Sequence, residues 1–348
     1  MFFSKKSKGI FVDLNDHTLA VARTSSPSGP MVVEELKSCP VANTAAVETL
    51  LSEIQLKRGG TGGYLRSTCG VYSPKRLVRR ATLDLKRIKD ADYLDEVVSA
   101  QFRIEPSKYT LVALDPKTGI DFDPSTATTK DVVFSGMLAE EIVSTQKRLL
   151  DTGIYPERLE LGSVATLGGL INYLSFIQAK TPTLVLEMDV EHTQSFILSE
   201  SGVDTSRPIP QGLDAMVPVV QKELGLKDEE SARKLFYSNT FDFTGMGPSL
   251  IKKLIKELQS SIGFYEVQTG QSIGQVFCTL LPPKMGWIHG AIASQLGVGL
   301  LDLKLVPWLQ ANHITFADTV PTAEVDARYL GLFSLMLSHE HAVSQTHS

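Results

Sequence analysis

Residues 9–18 and 184–193 are written to one plan. The first stretch reads Gly9-Ile-Phe-Val-Asp-Leu-Asn-Asp-His-Thr18 and the second reads Leu184-Val-Leu-Glu-Met-Asp-Val-Glu-His-Thr193. Each is an apolar, β-rich run, an acidic residue near its end, a polar turn, and a His-Thr pair that opens a returning strand. A hairpin repeated in this way divides the chain into two similar lobes, each opening on a strand, an acidic turn and a second strand. Few folds satisfy that constraint.

The bulk properties agree with a two-lobed globular protein. The 348 residues are enough for two cores. Charged residues are 21% of the chain and the net charge is −5 with both signs interleaved, which leaves no basic stripe for nucleic acid and no acidic tail. Cys39, Cys69 and Cys278 are far apart and odd in number, so neither a disulfide framework nor a thiolate zinc site is expected, and a reducing compartment is. The apolar run after the Lys-rich start is too short for a signal peptide, and residues 162–177 are interrupted by Ser163, Thr166, Asn172 and Ser175. A soluble, cytoplasmic chain is the expectation.

Periodicity supplies the remaining elements. Residues 9–13 and 19–23 read as the first hairpin, with a third strand at 32–36 and a helix over 44–55 carrying Val47, Leu50, Leu51 and Ile54 on one face. The glycines at 59–63 read as a linker, because no Gly-Lys-Ser/Thr follows them. Residues 71–85 read as strand, turn, strand. Asp90 opens a helix; strands follow at 109–114 and 131–136, and a helix from Ala139 closes at Gly153. In the second half, strands are expected at 183–188 and 195–198. Helices follow at 214–224, 228–236 and from Pro248, then a strand at 275–281 and a last helix over 322–338 with a frayed tail.

Two lobes that each begin on such a hairpin resemble the superfamily of actin, the heat-shock chaperone ATPases and the sugar kinases. Within it the chain is most similar to the type IV pilus assembly protein PilM, over nearly its whole length. The likenesses are the Lys-rich start leading into residues 9–13, and residues 71–106 as a subdomain insert of the kind found in FtsA. Further along they are Leu150-Asp-Thr-Gly-Ile-Tyr-Pro-Glu-Arg158, Ile209-Pro-Gln-Gly212, Glu257-Leu-Gln-Ser-Ser-Ile-Gly-Phe-Tyr-Glu266 and Leu330-Gly-Leu-Phe333. The resemblance implies an α/β, actin-like (ribonuclease H-like) two-lobed fold with an FtsA-type inserted subdomain. Lobe I would comprise residues 1–160 and 322–348, with the insert at 75–150, and lobe II residues 161–321. It also implies that the two turns grip ATP phosphates. The candidate cofactor-binding residues are therefore Asp13, Asn15, Asp16, His17, Thr18, Glu187, Asp189, His192, Thr193 and Gly286.

The nucleotide motifs are where the chain departs from that family. Glycines in both turns let backbone N–H groups approach phosphate. Here Asn15 stands at the first glycine, with the left-handed conformation within its reach, and Ala20 at the family's lysine. Asp189 stands at the second glycine; a carboxylate about 4 Å from a phosphate charge costs roughly 4 kcal/mol at an effective dielectric near 20. Pro282 and Pro283 stand at the Gly-Gly pair that supports the nucleoside, and proline has neither a free φ nor an N–H. A pseudo-ATPase scaffold is therefore expected, with no catalytic residue, no metal and no cofactor. The alternative is an ATP- and Mg-binding switch of the same apparatus. His17 and His192, with Asp13, Asp16, Glu187 and Glu191, could also be read as metal ligands, but they read first as turn residues capping strand ends. The family's partner is the cytoplasmic N-terminal peptide of a single-pass, PilN-like membrane protein. That implies peripheral attachment at the inner membrane, contacts with other pilus assembly proteins, and self-association as a further possibility.

Overall fold

The computed structural model describes residues 8–57, 63–126, 129–238 and 240–345. The Lys-rich start before Lys8, residues 59–62 of the glycine linker and the last three residues lie outside the described residues. The chain divides into two compact units, residues 1–177 with 303–348, and residues 178–302.

In the first unit, β1 (Gly9–Leu14) and β2 (Thr18–Thr24) form the expected antiparallel hairpin, with Val12 opposite Val21 and Asp13 opposite Ala20. The third strand is longer than its apolar run: β3 (Met31–Pro40) follows β2 to its end, pairing Thr18 with Pro40. α1 (Thr44–Lys57) buries Leu50, Leu51 and Ile54. β4 (Leu65–Val71) runs parallel to β1, so Val71 closes a strand rather than opening one.

The insert follows. β5 (Leu77–Thr82), α2 (Tyr93–Phe102), β6 (Tyr109–Leu114) and β7 (Asp131–Leu138) make a separate sheet in the order β5-β7-β6. α2 covers one face of it, packing Tyr93, Val97 and Val98 with Leu77, Ala81, Val132 and Phe134. α3 (Ala139–Asp151) sends Leu149 into the core of the first sheet, so the insert ends near residue 138 and not near 150. Gly153 adopts φ +85° after α3, and β8 (Ile154–Leu161) joins parallel to β4. α4 (Gly162–Phe176) closes this part of the unit.

In the second unit, β9 (Thr183–Met188) and β10 (Thr193–Ser199) repeat the hairpin, with Glu187 opposite Gln194. A third strand, β11 (Gly202–Ile209), has little apolar alternation to signal it; it turns in through Gly202 at φ +97° and carries Pro208 on an edge. α5 (Val217–Glu223) and α6 (Glu229–Ser238) match the expected helices. The long helix splits at Ile251 into α7 (Gly247–Leu250) and α8 (Lys252–Thr269). β12 (Gln275–Thr279) is parallel to β9; α9 (Trp287–Leu296) and β13 (Gly299–Leu300) complete the sheet order β11-β10-β9-β12-β13. Leu184, Leu186 and Met188 point into a core with Val217, Val220, Leu254, Leu258, Ile288 and Ile292.

The chain then returns to the first unit. α10 (Leu305–Ala311) buries Trp308, whose Nε1 donates to Asn172 Oδ1 at 2.7 Å and whose ring meets Tyr173 edge-on. β14 (Ile314–Phe316) pairs with β3, giving the order β14-β3-β2-β1-β4-β8. α11 (Leu330–Gln345) begins eight residues later than the sequence suggests, because residues 322–324 and 327–329 form 3₁₀ turns. It also continues to residue 345 where fraying was expected from 339. α4 packs on α11 with Gly169 against Ser334. These contacts put α4, α10 and β14 in the first unit, so the boundaries fall at 177/178 and 302/303 rather than 160/161 and 321/322.

Candidate functional site in the two hairpin turns

The first turn closes on itself. Asn15 Oδ1 accepts from the amides of His17 at 2.9 Å and Thr18 at 2.8 Å, while the Asn15 amide donates to Thr18 O at 3.1 Å. This is an Asx turn, in which a side chain occupies two main-chain N–H groups of the turn. Asn15 is not among the residues with positive φ, so it does not mimic glycine by turning left-handed. Its substitution removes more than the sequence alone implies: the donors themselves are engaged. Asp16 is exposed at the tip; Thr18 begins β2.

Asp13 is 4% exposed and stands behind the turn. A Cβ added to Gly331, in the first turn of α11, would come within 2.6 Å of Asp13 Oδ2 and 2.8 Å of Tyr72 Oη. The carboxylate therefore sits against the amino end of a long helix, where the helix dipole favours negative charge. That contact ties the terminal helix to β1.

The second turn is held by the segment that follows β11. Asp189 donates its amide to His192 O, Leu213 donates to Asp189 O, and Asp214 donates to Val190 O. Thr193 is fully buried and its Oγ1 donates to Gln211 O at 2.6 Å. A Cβ on Gly212 would overlap the main chain of Val190 and Glu191 and stand 2.5 Å from the His192 amide nitrogen. The Ile-Pro-Gln-Gly motif thus has a local purpose: its glycine lets one stretch of backbone lie directly on the turn. Asp189 is half-buried; Glu191 and His192 are exposed.

Glu187 is 2% exposed. Register places it beside Gln194 and Thr279 on one face of the second sheet. Gln194 Oε1 and Thr279 Oγ1 are buried without a hydrogen-bond partner among the described residues. Neither residue stood out in the sequence, since only the pairing of three strands reveals them.

After β12 the strain falls on an unexpected residue. Leu280 has φ +62°, a conformation that costs a non-glycine residue roughly 1–2 kcal/mol. The left-handed step therefore precedes Pro282 and Pro283 instead of coinciding with them. Pro282 accepts from Met285 to start a 3₁₀ turn that leads into α9. Gly286 is exposed at the helix start with φ −57°, and a Cβ there would meet nothing, so glycine is not required.

Two histidines near these elements are held neutral. Burial pushes His17 below the ordinary histidine value of 6.5, with Asp16 opposing the shift. Burial also lowers His289, whose Nε2 accepts from the Cys278 amide of β12. A folded state that resists protonation is stable above the unfolded pKa and loses stability as pH falls through 6.5 and below. The urea midpoint is expected to hold steady above neutrality and to drop on acidification. His289→Gln keeps an acceptor and removes the titration, so it should flatten part of that slope; identical slopes for the two proteins would refute the assignment. Among the described residues, no three His, Cys, Asp or Glu side chains converge as metal ligands.

No family model matches the chain and no curated protein matches it. Solved structures do. A chain of the PilM-PilN type IV pilus biogenesis complex aligns with a TM-score of 0.66 over 96% of this chain and 99% of that one, at 15% identity. The fold is actin-like. The ethanolamine utilization protein EutJ from Carboxydothermus hydrogenoformans aligns over 95% of this chain and 90% of its own at 9% identity, with a TM-score of 0.44. The cytoplasmic domain of EpsL, an inner membrane component of the type II secretion system of Vibrio cholerae, aligns over 97% and 95% at 9% identity, with a TM-score of 0.41. In this actin-like frame the two repeated hairpins are the first elements of the two sheets, and the β5-β7-β6 sheet is the inserted subdomain. Among the described residues no helix is long and apolar enough to cross a membrane.

Proposed function

We propose that this chain is a scaffold of a type IV pilus or related secretion apparatus, a pseudo-ATPase that binds the cytoplasmic tail of a PilN-like inner-membrane protein. The observation that carries the reading is the match to a PilM-PilN chain along essentially the full length of both, insert included. The first turn supports the pseudo-ATPase part, because Asn15 occupies the amides of His17 and Thr18. So do the Asp189 carboxylate in the second turn and the prolines that follow β12. The insert is the proposed docking element. β6 is an edge strand with Thr110 and Val112 exposed, a form suited to strand addition by an extended peptide.

Calorimetry separates the two halves of the proposal. Titration with Mg-ATP is expected to give no measurable heat at nucleotide concentrations that saturate actin-like ATPases. Asp189→Gly alone is expected not to restore binding, since the other two motifs remain altered. A dissociation constant in the low micromolar range would instead establish an ATP-binding switch. The orphaned Gln194 Oε1 and Thr279 Oγ1 beside Glu187 are the features that favour this second reading. Titration with a synthetic N-terminal cytoplasmic peptide of a PilN-like inner-membrane protein is expected to show binding that Val112→Asp weakens at least tenfold. Unchanged affinity in the folded variant would move the docking site off β6.

A further inference from the structure

α8 lies against the second unit's core through Leu254, Ile255, Leu258 and Tyr265. Its opposite side, an arc of about 120° at roughly 100° per residue, carries Lys252, Lys253 and Lys256 in the amino half and Phe264 and Val267 in the carboxyl half. Phe264 is 65% exposed and Val267 is 87% exposed. The helix's two acids flank this arc and are engaged there, Glu257 with Arg207 and Glu266 with the Ile273 amide. None of the three lysines has an ion pair among the described residues. Three cations at a helix amino end oppose the helix dipole, and the first turn holds no acid to relieve them. Local stability therefore explains neither the lysines nor the bare apolar side chains beyond them.

The composition of the face selects the kind of partner. Lysine is a compact, strongly hydrated point charge without the fork by which arginine fixes a planar partner. Tyr, Trp and Arg, the usual anchors of a specific protein contact, are missing from this arc. What remains is diffuse positive charge in line with apolar side chains, along a convex helix surface about 22 Å long. Such a line can lie flat on a plane of negative charge. Flexible lysine stems let the ammonium groups rise to lipid headgroups while a ring and a valine enter the headgroup–acyl boundary, roughly 5–10 Å deep.

We infer that α8 rests its outward face on an anionic phospholipid surface, with the lysines among the headgroups and Phe264 and Val267 in the acyl boundary. The contact is peripheral and reversible: near an anionic leaflet each lysine contributes roughly fivefold in affinity, and salt screens that contribution. The net charge of the whole chain is −5, so attraction to an anionic surface has to come from this local arrangement and not from total charge. The contact requires neither nucleotide nor a membrane protein, and it is independent of the pilus reading.

Flotation of the full chain with vesicles tests it. The chain is expected to float with vesicles of equal parts phosphatidylglycerol and phosphatidylcholine, and not with vesicles of phosphatidylcholine alone. Binding should fall as salt goes from about 0.05 M to about 0.5 M. Lys252→Glu with Lys253→Glu and Lys256→Glu should weaken it about a hundredfold. Phe264→Ser with Val267→Ser should weaken it several-fold and leave the salt dependence in place. All five side chains are exposed, so both variants should keep the parent's urea midpoint. Phe264→Trp supplies a local reading: the emission of the added indole should move to the blue with the phosphatidylglycerol vesicles and stay in place with phosphatidylcholine. Undiminished flotation of the lysine variant, or equal flotation with both kinds of vesicle, would overturn the inference. So would flotation with the indole emission unmoved, since α8 would then not be the contact. No flotation at the lowest salt would also overturn it and leave the face to an acidic protein partner.

Discussion

Replacing Gly169 by alanine should destabilise the protein by about 3 kcal/mol, while the same change at Gly168 should stabilise it by about 1 kcal/mol. The two glycines are neighbours in α4 and have the same chemistry. They differ in what a methyl group would meet. At Gly169 it would overlap Ser334 Oγ and stand 2.7 Å from Ser334 Cβ and 3.3 Å from its Cα, so moving the hydroxyl does not relieve it and α11 must shift. At Gly168 it would meet nothing within 4 Å. There alanine only removes the entropy that an unconstrained glycine costs at an exposed position of the helix. Urea denaturation of the two variants reads the difference directly. Equal midpoints would mean that α4 and α11 are not in this close contact.

Gly212→Ala is the second large effect, expected at about 3 kcal/mol or more, because the added carbon would overlap main chain that cannot rotate away. The overlap lies on Val190 and Glu191, so the damage should centre on the second turn. Amide exchange at Leu213 and Asp214, which donate to Asp189 O and Val190 O, should speed up more than exchange elsewhere in the same sheet. Gly286→Ala serves as the control and should change little, since that glycine is exposed and unhindered. Uniform acceleration across β9 and β10 in the Gly212 variant would show a general loss of stability instead of a turn held from above.

The two hairpins were legible because strand periodicity and turn composition agree over ten residues each. The insert was legible in its strands but not in its end: Leu149 belongs to a core that local sequence does not reveal. β11 escaped because an edge strand is defined by the neighbour it pairs with, and Asp204 and Pro208 hide its pattern. In the candidate site the sequence named the substitutions and misjudged how two of them act. Asn15 was read for its tolerance of left-handed backbone, whereas its side chain works by accepting two amides. The strained step after β12 falls on Leu280, a residue that nothing in a sequence marks for positive φ. Gln194 and Thr279 emerge only from the register that sets them beside Glu187.

The split of the first unit around the second has a consequence for biosynthesis. Residues 178–302 are contiguous and can fold as soon as they emerge from the ribosome. β1 to β4 are made first, yet the partners of their open faces and edge, α11 and β14, are made last. At about 5–20 residues per second, the interval is some tens of seconds during which Asp13 and the open edge of β3 wait uncovered. A nascent chain stalled short of residue 330 would present an unfinished sheet to chaperones and proteases, and quality control would read it as damaged while its second unit was already native.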